Sequence, residues 1–227
     1  MNILFPAECL ACGAPLARGT LCGTCRMCIA PHRTAFCGTC AAPLPGLRSI
    51  CHPHAPHLLG AAGDYRNAAL RTLIHALKFG RMRCAAEPLA DVLIHYCARL
   101  PMDLRGFSVV PVPISRERMR ERGFNQSALI AERFARFFGA PLRTKLLSRT
   151  VHRTAQSDIP DRDERRENIR DCYAAKEFAG SGICAAGRNI ILIDDVTTSG
   201  ATFADAVRAL RSAGARKIFA LAVAKAR

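Results

Sequence analysis

Tryptophan is absent from this chain of 227 residues, and aromatic side chains make up only 6% of it. Acidic residues are also few, with 18 Asp and Glu against 33 Lys and Arg, and only five of those 33 cations are lysine. No apolar run approaches the roughly 20 residues that a membrane-spanning helix needs. The first residues lack both a basic segment and a long apolar segment, so we expect no secretion signal, no membrane insertion and a cytoplasmic protein.

The basic surplus gives a formal net charge of +15. A positive field of this size attracts polyanions such as nucleic acid and phosphorylated metabolites. The scarcity of aromatic side chains argues against extended platforms for base stacking. Half of the residues are hydrophobic, which is enough for an ordinary core and excludes a chain that is disordered throughout. The length allows one full domain and a smaller one.

Cysteine is concentrated at the amino terminus, where eight of the 12 cysteines lie in the first 51 residues. Three Cys-x2-Cys pairs stand there, with the spacing that presents two thiolates to one tetrahedral ion. Cys51 and His54 form a fourth, partial pair. The pairs predict two zinc sites. The first consists of Cys9, Cys12, Cys22 and Cys25, and the second of Cys37, Cys40, Cys51 and His54. The stretch has few large apolar side chains, so metal would supply much of its folding free energy.

Other assignments of the cysteine-rich segment stay open. A disulfide scaffold needs an oxidising compartment, which the expected lack of an export signal disfavours. Cys28 is a spare that replaces Cys22 or ligates nothing, and ligation in which the first pair joins the third also fits the spacing. We expect His32, His52 and His57 to be exposed imidazoles.

From residue 58 onward, the apolar spacing alternates between helix and strand patterns. It predicts helices over 67–79, 85–99, 126–138 and 202–213, and strands over 107–113, 142–147, 189–193 and 218–224. Such alternation indicates a mainly parallel sheet with helices on both faces. We therefore predict an α/β domain over 58–227, preceded by a small zinc-ribbon-like domain over 1–57. The polar residues 148–170 predict a long mobile loop.

Two adjacent acids, Asp194 and Asp195, follow the most apolar predicted strand, at the edge where open α/β sheets bind ligands. A small hydroxyl-rich turn and a helix come next, and the backbone NH groups of such a turn bind phosphate together with the positive helix end. The turn consists of Thr197, Thr198, Ser199, Gly200, Ala201 and Thr202. Carboxylates beside a phosphate need neutral donors, such as the vicinal hydroxyls of a sugar. The pattern therefore predicts a ribose 5-phosphate held at both ends, and its alternative is an ordinary strand–turn–helix with Asp as the N-cap.

This stretch resembles the fingerprint of type I phosphoribosyltransferases, which is an apolar strand, two acids and a Thr/Gly-rich loop. With the cysteine-rich head and Leu77-Lys78-Phe79, the segment Arg122-Gly123-Phe124-Asn125-Gln126-Ser127 makes nearly the whole chain similar to the ComF family (competence protein F/GntX-like). The resemblance implies a type I phosphoribosyltransferase-like fold with an amino-terminal double zinc ribbon. It also implies phosphoribosyl pyrophosphate (PRPP) with Mg²⁺ as ligand, and a link to DNA uptake and natural transformation.

The resemblance further implies roles for individual residues. Asp194 and Asp195 would be the catalytic acids that hold the ribose hydroxyls. The diphosphate would lie near Pro113, Ile114, Ser115, Arg116 and Arg122, and the mobile-loop candidates are Gln156, Arg165, Arg166 and Asn168. The alternative for the arginine run is a solvated helical face with ion pairs to Glu117 and Glu121. The alternative for Lys78 is a side chain that extends to solvent at a helix end.

Two functions therefore stand side by side. The first is phosphoribosyl transfer from PRPP with release of diphosphate, in which Mg²⁺ binds mainly to substrate oxygens. No residue of the sequence indicates the acceptor. The second is a non-catalytic competence protein that uses the same fold to bind single-stranded DNA, with the DNA-uptake machinery as partner.

Overall fold

Strands and helices alternate through the part of the chain that the computed structural model describes, which is residues 7–47, 52, 57–150, 172–175 and 184–226. The strands are β1 (Ala7–Glu8), β2 (Pro15–Leu16), β3 (Ala35–Cys37), β4 (Pro43–Leu44), β5 (Leu58–Asp64), β6 (Phe107–Pro111), β7 (Leu147–Arg149), β8 (Tyr173–Ala175), β9 (Asn189–Thr197) and β10 (Lys217–Lys225). The helices are α1 (Gly23–Cys28), α2 (Ala68–Lys78), α3 (Ala86–Cys97), α4 (Arg116–Arg122), α5 (Gln126–Phe138) and α6 (Ala201–Ser212). Among the described residues, no helix combines the length and the apolar character needed to cross a membrane.

A six-stranded sheet forms the centre, with the strand order β4-β3-β5-β10-β9-β6. Strands β5, β10, β9 and β6 run parallel, and Leu192 of β9 lies opposite both Val110 of β6 and Ala220 of β10. Strand β3 pairs antiparallel with β5 through Phe36 and Leu59, so the second cysteine segment extends the edge of this sheet. The prediction of an α/β fold with a mainly parallel sheet is confirmed.

Strand β9 is buried on both faces, which explains its continuous apolar sequence. Ile191 and Ile193 pack in one cluster with side chains of α2, α3 and α5. Ile190 and Leu192 pack in a second cluster with side chains of α6. The pair Asp194 and Asp195 is therefore the first polar pair that the chain reaches after this core, at the carboxyl end of the strand.

The prediction of a strand over 142–147 is wrong. Leu142 makes a single bridge to Val109, and a turn follows because the Leu146 NH donates to the carbonyl of Arg143. The strand comes later, as β7, and pairs antiparallel with β8. Residues 148–150, which we assigned to the mobile loop, therefore belong to β7 or follow it directly, and 151–170 lie outside the described residues.

Strand β5 has no counterpart among the predicted strands, because glycine and alanine give it a weak strand signal. The small residues have a packing reason. A Cβ on Gly60 would lie 2.9 Å from Cζ of Phe219 and would also overlap Leu221. The centre of the sheet therefore requires glycine at this position.

Candidate functional site

The first four cysteines converge on one point, with all four Sγ atoms within 4.8 Å of one another. The Cys22 NH donates to Sγ of Cys9 at 3.3 Å, and the Cys25 NH donates to Sγ of Cys22 at 3.4 Å. Burial acts to raise the pKa of Cys9, but backbone NH donors led by that of Cys22 outweigh it and lower the pKa to about 6. Hydrogen bonds with the Cys12 and Cys22 thiols raise the pKa of Cys25. Four thiols this close ionise together only around a cation, and the donor set fits structural Zn²⁺.

A second cluster joins Cys37, Cys40 and His52, whose ligand atoms also lie within 4.8 Å of one another. His52 Nδ1 lies 3.6 Å from Sγ of Cys37. We expected His52 only as an exposed imidazole, and only its position next to Cys51 could have suggested a ligand. Cys51 and His54 lie outside the described residues, so their assignment stays a prediction.

The expectation that His57 is exposed is wrong, because its side chain is buried. Gly38 makes room for the ring, since a Cβ at this glycine would lie 2.7 Å from the imidazole Cε1. Burial comes first among the causes that lower the pKa of His57 to about 4. This histidine is therefore a packed neutral side chain.

The two acids of β9 have different surroundings. Asp195 is turned into the protein, where Lys78 Nζ lies 2.8 Å from its Oδ1. Its Oδ2 is buried and has no hydrogen-bond partner among the described residues. Asp194 is half-buried, and its Oδ1 accepts hydrogen bonds from Ser127 Oγ at 2.8 Å and from the Asp195 NH at 2.9 Å. Burial, followed by the charge of Asp195, raises the pKa of Asp194 to about 7.

Lys78 and Ser127 contact the acids although the sequence did not assign them to the site. Lys78 is the last residue of α2, and its side chain is only 19% exposed, so it does not extend to solvent as its alternative interpretation has it. Ser127 lies in the first turn of α5, which begins at the N-cap Asn125. The Asn125 side chain also donates to the Val112 carbonyl at 3.0 Å and so ties this turn to the end of β6.

The segment predicted to hold diphosphate lies beside the acids. The Val112 NH donates to the Ile193 carbonyl at 2.9 Å, so the chain leaves the sheet next to Asp194. Pro113 and Ile114 follow, half-buried. The next residue, Ser115, is the N-cap of α4.

The arginine run forms a seven-residue helix, and in the described part of the chain Glu117 and Glu121 make no ion pair with its arginines. Arg116 is exposed at the start of this helix. Arg122 is half-buried at its end, with its guanidinium carbon 5.7 Å from the centre of the Phe79 ring. The arginine run therefore forms the helix of the alternative interpretation, but among the described residues it lacks the ion pairs to Glu117 and Glu121 that this interpretation includes.

The turn predicted to hold phosphate, Thr197–Thr202, joins β9 to α6. The Thr198 and Ser199 side chains are exposed. Gly200, the N-cap of α6, has φ +80°, a left-handed conformation that favours glycine. The Ala201 NH donates to Ser199 Oγ at 3.4 Å. The other NH groups of the first turn have no partner within the helix, so this turn presents NH groups and hydroxyls together. Such a set of donors is suited to an anion.

The sheet thus brings three predicted segments to one edge: the acids, the phosphate turn and the residues after β6. The mobile-loop candidates Gln156, Arg165, Arg166 and Asn168 lie outside the described residues.

Comparison with known proteins agrees with both parts of the chain. Residues 1–54 match the family model of the double zinc ribbon domain. Competence protein F of Haemophilus influenzae is 26% identical over 237 residues, which cover 100% of both chains. The similarity to competence protein F therefore extends over the whole of both chains. The DNA utilization protein YhgH of Escherichia coli (strain K12) is 29% identical over 227 residues, covering 95% of this chain and 96% of that protein. The predicted resemblance to the ComF family is confirmed, and the zinc ribbon match together with the cysteine clusters supports structural zinc.

A solved structure of the allosteric regulatory enzyme of purine biosynthesis also aligns with this chain. The two are 23% identical, and the alignment covers 61% of this chain and 25% of that one, with a TM-score of 0.38. A TM-score this low carries no argument about function.

Proposed function

We propose that this chain binds PRPP at the carboxyl end of β9 and transfers its phosphoribosyl group. The observation that carries the proposal is the half-buried carboxylate of Asp194 next to a turn that combines the NH groups of a helix start with the exposed Thr198 and Ser199 side chains. A carboxylate beside an anion site is unfavourable unless the ligand also brings neutral donors. A ribose 5-phosphate has both groups, because its hydroxyls donate to the acids while its phosphate accepts from the turn.

The remaining roles follow from the position of each segment. The 5-phosphate would bind to Thr198–Thr202. The ribose hydroxyls would bind to Asp194 and to Oδ2 of Asp195, which has no partner among the described residues. The diphosphate would lie between Pro113 and Arg116, with Arg122 nearby. Carboxylate and substrate phosphate oxygens are the ligands that Mg²⁺ takes in such sites, so Asp194 fits as its protein ligand. When bound, the ion would neutralise charge on the leaving group.

The transfer breaks the bond between the anomeric carbon and the diphosphate oxygen, and the diphosphate leaves with the electron pair. A lone pair of the acceptor forms the new bond to that carbon, and the acceptor releases a proton to solvent. Positive charge develops on the sugar in between, as in glycoside hydrolysis. The carboxylates of Asp194 and Asp195 would stabilise this charge.

Calorimetry of PRPP binding in the presence of Mg²⁺ tests the proposal. Asp194→Asn removes the charged acceptor of the ribose hydroxyls, and a hydrogen bond to a charged group contributes about 1.5–3 kcal/mol, which is roughly 10- to 100-fold in affinity. Asp103→Asn is the matched control, because Asp103 is an exposed acid paired only locally with Arg105. Equal affinity of the Asp194→Asn variant and the wild type would reject the site.

A second candidate function is binding of single-stranded DNA, which the names of the relatives suggest and one observation favours. Arg116, Arg118 and Arg120 of α4 are exposed and form no ion pair in the part of the chain described here. Their positive charge is therefore available to a nucleic-acid backbone, in line with the net charge of +15. On this proposal, the protein would act with the DNA-uptake machinery.

Binding of a thymidine 20-mer at several salt concentrations tests this function. The logarithm of the affinity falls with the logarithm of salt concentration by about 0.7 for each phosphate that a single strand gives up to a cation. Replacing Arg116, Arg118 and Arg120 by Gln should flatten that slope by up to about 2. Arg105→Gln is the control, since Arg105 is already paired with Asp103. A slope that stays the same would exclude α4 from the DNA interface.

A further inference from the structure

The ring of Phe79 lies open at the surface, although aromatic side chains are few in this chain. Phe79 follows α2 directly as its C-cap residue, and 68% of it is exposed. Single apolar side chains at a protein surface are common and need no ligand to explain them. The ring is therefore informative only through the groups around it.

Two neighbours hold the Phe79 ring in place. His75 packs edge-on against it, with the ring centres 5.3 Å apart, and the Tyr65 hydroxyl lies 2.9 Å from Nε2 of His75. The guanidinium carbon of Arg122 lies 5.7 Å from the centre of the Phe79 ring. A side chain that is already oriented in this way loses little conformational freedom when a ligand packs on it.

The connection between α2 and α3, residues 79–85, carries two arginines just after the ring. Arg81 and Arg83 are both exposed and form no ion pair with any residue that the structure describes. The guanidinium carbon of Arg83 lies 5.4 Å from the centre of the Phe124 ring, which comes just after α4. This connection therefore lies against the end of α4.

Helix α4 brings a second group of arginines to the same place. Arg122 at its end lies over the Phe79 ring, and Arg118 lies one turn earlier on the same helix face, because residues four apart are neighbours on a helix surface. Arg116 and Arg120 are exposed on this helix as well. Two groups of exposed arginines thus meet at one exposed aromatic ring.

This combination fits a nucleotide of a single strand. The phosphates of a nucleotide chain bind to arginine, and every base has a flat face that stacks on an aromatic side chain. An acidic protein segment would use the arginines but would have no need of a flat ring. The bases of a duplex are already stacked on one another, so a single strand is the form that offers a base to Phe79.

Phe137 of α5 shows what the surroundings of Phe79 add. It is 64% exposed, which is nearly the same exposure. Its neighbour in the chain, Arg136, is paired with Glu132 at 3.0 Å, and no cation lies over the Phe137 ring among the described residues. Phe137 is therefore a matched control for an exposed phenylalanine without unpaired arginines next to it.

We propose that Phe79 is a stacking platform for one base of single-stranded DNA, and that the exposed arginines of residues 79–85 and of α4 bind the phosphates next to that base. This inference rests on the second candidate function, DNA binding, and adds to it a side chain that recognises the base itself. Lys78, the residue before Phe79, contacts Asp195, so the bound strand lies next to the candidate PRPP site.

Two strands with the same phosphates test the proposal: a thymidine 20-mer and a 20-mer of abasic nucleotides. Wild-type protein should bind the thymidine strand more tightly. Phe79→Ala should reduce this preference by roughly 5- to 150-fold, which is the usual effect of removing the aromatic partner of one stacked base. The salt dependence of thymidine binding should stay the same in Phe79→Ala, because no cation is removed. Phe137→Ala should bind both strands as the wild type does.

A fluorescence measurement locates the base directly, because the natural chain contains no tryptophan. In Phe79→Trp, a base that stacks on the indole quenches its emission. The thymidine 20-mer at saturation should therefore quench Phe79→Trp, and the abasic 20-mer should not. Phe137→Trp should keep its emission with both strands.

The outcomes separate this inference from DNA binding itself. Loss of the thymidine preference in Phe79→Ala together with quenching in Phe79→Trp, neither of them seen in the Phe137 variants, supports the proposal. If Phe79→Ala keeps the wild-type preference, if the wild type has no preference, or if bound thymidine strand leaves Phe79→Trp unquenched, the stacking platform is rejected and DNA binding stands. If the wild type binds neither strand, the second candidate function fails and the stacking platform fails with it.

Discussion

Among the ion pairs between described residues, the one between Lys78 and Asp195 is the pair whose disruption we expect to lower the free energy of unfolding most. Its atoms are 2.8 Å apart, and the two side chains are 19% and 4% exposed. Lys78→Met keeps most of the apolar stem and removes the charge. The variant leaves a buried carboxylate whose other oxygen already has no partner among the described residues. Breaking one side of a buried ion pair costs about 3–5 kcal/mol in the free energy of unfolding.

Urea unfolding followed by circular dichroism at pH 8 measures this loss of stability, with zinc and reductant held constant. The double variant Lys78→Met/Asp195→Asn completes the cycle and should be more stable than Lys78→Met alone, because it no longer buries an unpaired charge. A loss below about 1 kcal/mol for Lys78→Met at pH 8 would refute this reasoning.

Three further predictions concern separate parts of the chain. PRPP affinity should rise between pH 6 and 8, because Asp194 has a pKa of about 7 and must ionise to accept hydrogen bonds from the ribose hydroxyls. Calorimetry should find that the Asp194→Asn variant lacks this part of the pH dependence. Cys9→Ser should lower the zinc content of purified protein, whereas Cys28→Ser, an exposed cysteine outside both clusters, should leave metal analysis unchanged. Gly60→Ala should lower the free energy of unfolding by about 1–3 kcal/mol in urea titrations, since its Cβ would overlap the Phe219 ring; unaltered stability would show that the centre of the sheet can adjust.

Sequence patterns predicted most of the α/β part because its elements are specified locally. The helix predicted over 126–138 has those bounds in the structure, between the N-cap Asn125 and the left-handed Gly139. Strand β9 was equally clear, since burial on both faces requires a continuous apolar run. Strand β5 was not predicted, because its small residues have low strand propensity and are explained by close packing against Phe219.

The sequence likewise predicted one part of the candidate site and not the other. Asp194, Asp195 and the turn after them are contiguous in sequence, so their residue types alone indicate a phosphate beside acids. Lys78 was weighed as a surface side chain, because its partner lies on another element. Nothing in a one-dimensional pattern shows that α2 ends against the carboxyl end of β9.

The sequence by itself determined the class of this protein: cysteine pairs at ligand spacing, an alternating α/β body, and two acids before a hydroxyl-rich turn. All of these features depend on neighbours along the chain. Only the tertiary structure decided that His52 lies beside Cys37 and that His57 is buried. It also decided that Asp195 is paired with Lys78 while Asp194 stays half-buried. The physical reason is that burial and electrostatic pairing depend on distance in space, which the packing of helices on the sheet sets.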